Sequence, residues 1–250
     1  MAALTSLTLT AQATVPDLAP VPPPRPPEPP TIDEPAAPPP AEVEAAPVAN
    51  DPADEPEPAP EAPRIYQSAC PALLDGTITG VALPPIVDGE CGERSPLRID
   101  AVNPGATPIA VSGEPQTACG MAEAFASWIA ELDRYAEATL ETGIATVSAG
   151  TSYQCRGVNN ATTGRLSEHA FANALDVIGF VFDDERRVTV EGDWQMPPET
   201  PEAKFLNYAH EAACARFTTV LGPEANELHH DHLHLDLGCH GASCIVRLCE

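Results

Sequence analysis

Four of the chain's seven histidines fall within six residues, in the run His229-His230-Asp231-His232-Leu233-His234-Leu235-Asp236-Leu237. Imidazole both ligates transition metals and exchanges protons near neutrality, so the clustering points to one of those two tasks. A strand sends successive side chains to opposite faces. Leu233, Leu235 and Leu237 then share a buried face, and His232, His234 and Asp236 share the other. Paired imidazoles above a packed floor suit zinc, which takes nitrogen and carboxylate ligands in tetrahedral geometry. The plainer alternative is a histidine-rich surface loop, and the leucine alternation argues against it.

A second group lies upstream, in Ser167-Glu168-His169-Ala170-Phe171-Ala172-Asn173-Ala174-Leu175-Asp176-Val177. A catalytic zinc ion takes three protein ligands and keeps a fourth position open. His169, Asp176 and one histidine of the later run supply that number. Alanines at 170, 172 and 174 let the backbone crowd against an ion, and Leu175, Val177, Ile178, Phe180, Val181 and Phe182 read as a buried strand leaving it. Taken singly, His169 is equally a satisfied loop histidine and Asp176 a cap or turn residue. Arg156 follows Ile144 to Cys155, which reads as a strand, and precedes a polar loop from Asn159 to Arg165. It is either a fixed cation for a substrate carbonyl or carboxylate, or a surface arginine.

These residues need a frame. Phe125, Trp128, Ile129, Leu132, Ala136 and Leu140 recur at helical spacing and predict a helix over Met121 to Thr142, stopped by Gly143. Turns are expected at Ala82 to Pro85, Gly89 to Gly92 and Thr218 to Pro223, and strands at Leu97 to Val102 and Arg187 to Val190. A second helix is expected from Glu199 to Phe217, burying Phe205, Leu206, Ala209, Ala213 and Phe217, with His210 at its solvent side or cap. Residues 65–250 have room for one core, so one α+β domain is expected.

The first 63 residues hold 19 of the 30 prolines and eleven acids against one arginine. Such composition cannot offset the entropy of ordering, so residues 1–64 read as a disordered spacer. Ala2 to Ala13 resembles a weak or truncated export signal. A net charge of −25 repels phosphate backbones and anionic lipid, which excludes nucleic-acid binding. No run is apolar and long enough for a membrane span. Eight cysteines follow the spacer with no Cys-x-x-Cys pair. They read as disulfides in an oxidising compartment, with Cys155 a disulfide partner sooner than a nucleophile.

Tyr153-Gln154-Cys155-Arg156, Gly164-Arg165-Leu166-Ser167-Glu168-His169 through Asp176-Val177, and the histidine run resemble the bacterial extensin-like C-terminal domain family over Ser68 to Cys249. The motifs are also similar to those of zinc peptidases that cut peptidoglycan, the D-alanyl-D-alanine carboxypeptidase and penicillin-insensitive murein endopeptidase group, which shares its fold with the hedgehog signalling domain. That resemblance implies a small antiparallel sheet with flanking helices, and a periplasmic or secreted hydrolase of stem peptides or cross-links. It implies His169, Asp176 and His234 as Zn2+ ligands and Arg156 on the substrate oxyanion. His232 matches the endopeptidase base, while Asp231 stands where carboxypeptidases carry a glutamate. Strand alternation sends Asp231 to the leucine side and favours His232, so loss of Asp231 is expected to do little. His229 is expected to support water or substrate. The rival reading is a catalytically silent wall-binding or zinc-stabilised module.

Overall fold

The computed structural model describes residues 66–161 and 163–250; the expected spacer and the signal-like stretch lie outside them. In chain order the elements are α1 (Pro71–Leu74), β1 (Ile78–Ala82), β2 (Ile86–Asp88), β3 (Cys91–Glu93), β4 (Leu97–Val102), β5 (Ile109–Ser112), β6 (Gln116–Thr117), α2 (Cys119–Leu140), β7 (Ile144–Ala149), β8 (Ala174–Phe182), β9 (Arg187–Thr189), α3 (Val190–Asp193), α4 (Pro201–Cys214), β10 (Thr219–Leu221), β11 (Leu233–Asp236) and β12 (Leu248–Cys249). Short 3-10 turns at Val158–Asn160, Glu168–Phe171 and Glu227–His229 complete it. None of the described helices is long and apolar enough to cross a membrane.

Ten strands form one sheet with the path β1-β4-β5-β7-β8-β11-β10-β12, with β6 on β4 and β9 on β8; β2 and β3 pair separately. The helical stripe and the strand alternation meet in one core. Trp128 of α2 is fully buried, packs edge-on against Phe180 of β8 and Phe217, and donates from Nε1 to the Ala209 carbonyl of α4 at 2.9 Å. Leu175 and Val177 of β8 and Leu233 and Leu235 of β11 belong to the same apolar cluster. Their neighbours Asp176, His234 and Asp236 therefore face away from it.

All eight cysteines pair, as Cys70–Cys119, Cys91–Cys155, Cys214–Cys249 and Cys239–Cys244. The second of these staples the segment before Arg156 to the β2–β3 hairpin.

Several expectations need correction. The sheet is large, and β5 with β7 and β10 with β12 run parallel; strands of two or three residues such as β6, β10 and β12 are too short to carry a period-two signal. Residues 219 to 221, expected in a turn, form β10, and only Gly89 and Glu90 turn before β3. The strand from Ile144 ends at Ala149, where the β7–β8 register shifts. Helix α2 closes through Glu141 in the left-handed region at φ 57°, not through Gly143. Gly143 lies beside the Asp183 carboxylate, and a Cβ there would stand 2.7 Å from Asp183 Oδ2, so that side chain would have to shift. Ile178 is 42% exposed and not buried, and Val190 begins α3 after Thr189 caps it.

Trp128→Ala removes a ring that touches two helices and the sheet. It is expected to cost about 3–5 kcal/mol, against less than about 1 kcal/mol for Ile178→Ala on the exposed position. Urea denaturation of both variants checks the contrast, and equal midpoints would refute the placement of the core.

Candidate metal centre

Pairing of β8 with β11 places His234 directly opposite Asp176, and Leu235 opposite Leu175. The same register thus settles the core face and the polar face. His169 arrives from the 3-10 turn Glu168–Phe171, whose cap Ser167 accepts from the His169 backbone N–H. The turn ends on Ala172 at φ 51°, and Ala170, Ala172 and Ala174 are fully buried. Small residues suit these positions because none of the three has room at the surface.

His169 Nε2 stands 3.1 Å from His234 Nδ1 and 3.3 Å from Asp176 Oδ1, and the latter two are 3.0 Å apart. Ligand atoms placed tetrahedrally at about 2.0–2.1 Å from a zinc ion lie about 3.3–3.4 Å from one another. The triangle therefore has the size that such an ion demands. His169, Asp176 and His234 are all buried.

The outer hydrogen bonds decide which nitrogens face inward. His169 Nδ1 lies 2.6 Å from the Ser152 carbonyl, which can only accept, so it carries the proton and Nε2 offers a lone pair. His234 Nε2 lies 3.2 Å from Asp236 Oδ2, which frees Nδ1 in the same way. Asp236 is itself fixed by the Gly238 N–H at 2.8 Å. Two imidazole lone pairs and a carboxylate oxygen so converge on one point, an arrangement that needs a cation.

In the ion-free chain a proton takes that place. Burial works against the charged form of His234, yet the hydrogen bonds it donates to Asp176 and Asp236, and their negative charges, outweigh it and hold the imidazolium up to about 9. Burial likewise pushes the Asp176 carboxyl up, but its contacts with His169 and the hydrogen bond from His234 keep it well below the usual carboxylate range.

His232 sits just ahead of β11 with Nε2 3.6 Å from Asp176 Oδ1, on the polar side as expected. Asp231 does not point to the leucine side. Its carboxylate is 47% exposed and accepts from His232 Nδ1 at 2.8 Å, because residue 231 precedes the strand and is free of its alternation. His229 is buried, with Nδ1 2.9 Å from Asn226 Oδ1. Burial first, then the positive charge of His234 and His232, lowers its pKa to about 4, so it is neutral at pH 7.

Arg156 lies in a loop rather than at a strand end, and its Nε donates to Gln154 Oε1 at 3.0 Å. With His229, His232 and His234 it lines a cavity of about 400 Å3. Residues the sequence reading left out also line it: Arg165 with its partner Glu168 at 3.1 Å, and His240 against Thr219 at 2.7 Å. Asn226, three residues before His229, carried a legible signal as a cap residue ahead of a turn.

His210, expected at the solvent side or cap of its helix, is instead half-buried within α4, where it bonds the Glu250 carbonyl at 3.1 Å and packs on Trp194. It also neighbours Cys214 and Cys249, and Cys119 neighbours Glu123, but those sulfurs are spent in disulfides.

His169→Ala and His234→Ala are expected to abolish stoichiometric zinc binding, and His232→Ala to retain it, as measured by metal analysis after dialysis. Because His234 holds its proton up to about 9, zinc must displace it at pH 7. Calorimetry in buffers of different ionisation enthalpy should read about one proton released per ion, with affinity falling about tenfold per pH unit on acidification. Binding without proton release would contradict this site.

No curated protein and no solved structure matches the chain. The family model described as Extensin-like protein C-terminus matches residues 68–250, a span that takes in every cysteine, the His169–Asp176–His234 triangle and the cavity walls. The chain belongs to the extensin-like protein C-terminus family.

Proposed function

We propose that the chain is a zinc-dependent peptidase that hydrolyses peptidoglycan stem peptides or cross-links in the cell envelope. The observation that carries this reading is the triangle of three inward-facing donors, two of which, Asp176 and His234, line an open cavity. Among the described residues, the group whose ligand atoms lie within mutual reach comprises His169, Asp176 and His234 without a fourth protein donor. A three-ligand set beside a cavity fits catalysis better than the closed four-ligand set of a structural ion. The likeness of the Ser-x-His, seven-spaced Asp and His-x-His motifs to zinc peptidases of the murein endopeptidase group supplies the substrate class, and four disulfides agree with a periplasmic or secreted location.

When bound, the zinc ion supplies Lewis acidity to the scissile carbonyl and makes water acidic enough to ionise near neutrality. The chain's own groups do the rest. His232 Nε2 faces the cavity and takes the proton from the attacking water, then returns it to the leaving amine. Arg156 places a permanent cation on the cavity wall for the developing oxyanion. Neutral His229 orients substrate or water without adding charge.

The full chain with zinc, incubated with purified sacculi, is expected to release fragments whose masses differ by hydrolysis of peptide bonds. His232→Ala is expected to lower turnover by about 10²–10⁴-fold while keeping its zinc. Zinc-loaded chain that binds sacculi and releases nothing would leave a wall-binding module in place of an enzyme.

A further inference from the structure

We propose that Asp231 is the positioning residue that fixes the tautomer of His232, so that residues 231 and 232 act as one dyad. The mechanistic part rests on the peptidase reading above; the structural part does not. Asp231 Oδ1 lies 2.8 Å from His232 Nδ1, and an ionised carboxylate can only accept, so the ring proton sits on Nδ1. His232 Nε2 is then left with a lone pair on the side of the cavity.

The alternative tautomer has its own attraction. Nε2 stands 3.6 Å from Asp176 Oδ1, and a proton on Nε2 would be drawn to that oxygen. Such a contact spoils two things together: the base loses its lone pair, and a ligand oxygen is engaged by the wrong partner. Asp231 prevents both by offering a closer acceptor at the opposite nitrogen. The side chains differ in exposure as this division requires, with His232 17% exposed at the cavity and Asp231 47% exposed behind it.

No other side chain takes over the task. His229 lies with its ring centroid 5.3 Å from that of His232, and its Nδ1 is engaged by Asn226. His230, beside Asp231, bonds the Glu227 carbonyl at 2.9 Å. Among the described residues the only hydrogen-bond partner at His232 Nδ1 is therefore Asp231.

The test compares zinc-loaded full-length chain with its Asp231→Asn and Asp231→Glu variants. Nitrogen-15 NMR of the ring, assigned by the signal missing from His232→Gln, reports the tautomer directly. Wild type is expected to show the proton on Nδ1. Asp231→Asn, whose uncharged amide can either accept from Nδ1 or donate to it, is expected to shift the proton partly to Nε2, and Asp231→Glu to restore the wild-type pattern. Zinc content should be the same in all three. On sacculi, Asp231→Asn is expected to lose about 10–100-fold in kcat with KM within about twofold, and Asp231→Glu to recover most of it. A wild-type proton on Nε2, or an Asp231→Asn variant that keeps it wholly on Nδ1, overturns the proposal whether or not the chain hydrolyses anything. Failure of wild type to cut sacculi bears on the peptidase reading alone, and the NMR comparison still decides the dyad.

Discussion

The organising constraint is the mutual approach of three unprotonated donors. Nitrogen and oxygen lone pairs about 3 Å apart repel in a buried site, so His169, Asp176 and His234 stay together only because something positive stands among them, a proton or a metal ion. The β8–β11 register enforces the approach from one side, since His234 and Asp176 are cross-strand partners. A slip of β11 by one residue would turn His234 toward the core and its leucine neighbours toward the cavity, away from Asp176. Hydrophobic packing on one face thereby holds an electrostatically costly arrangement on the other.

Around that point, the remaining parts of the molecule act as supports. Backbone and carboxylate acceptors at Ser152 and Asp236 choose the inward nitrogens. The Cys91–Cys155 bond limits how far Arg156 can drift from the cavity. The left-handed Ala172 lets the His169 turn double back onto β8, and its carbonyl accepts from the Ala118 N–H at the start of α2. Site and scaffold share these contacts.

What the sequence made legible were patterns with a strong period. The stripe from Phe125 to Leu140 announced α2 to within two residues at each end, and the alternation of Leu233 and Leu235 announced β11 and its polar face. Residue type and spacing marked His169, Asp176 and a histidine of the later run, and the resemblance to zinc peptidases singled out His234, which the structure places with the other two. The size of the sheet was not: β6, β10 and β12 are held by long-range pairing rather than by local preference. The position of Asp231 was missed for a related reason, since alternation holds only inside a strand and β11 begins two residues later. Likewise, the contact of His240 with Thr219 joins residues that no local rule connects.

The four disulfides have an uneven reach. Two lie wholly before residue 156 and two wholly after residue 213, so no sulfur bridge spans the stretch between. His169 and Asp176 lie in that unbridged stretch, and His234 lies within the second stapled part. An ion held by all three would tie the unbridged stretch to the C-terminal stapled part, which also meet through the β8–β11 pairing. Loss of such an ion would loosen the molecule in the one stretch that its disulfides leave unbridged.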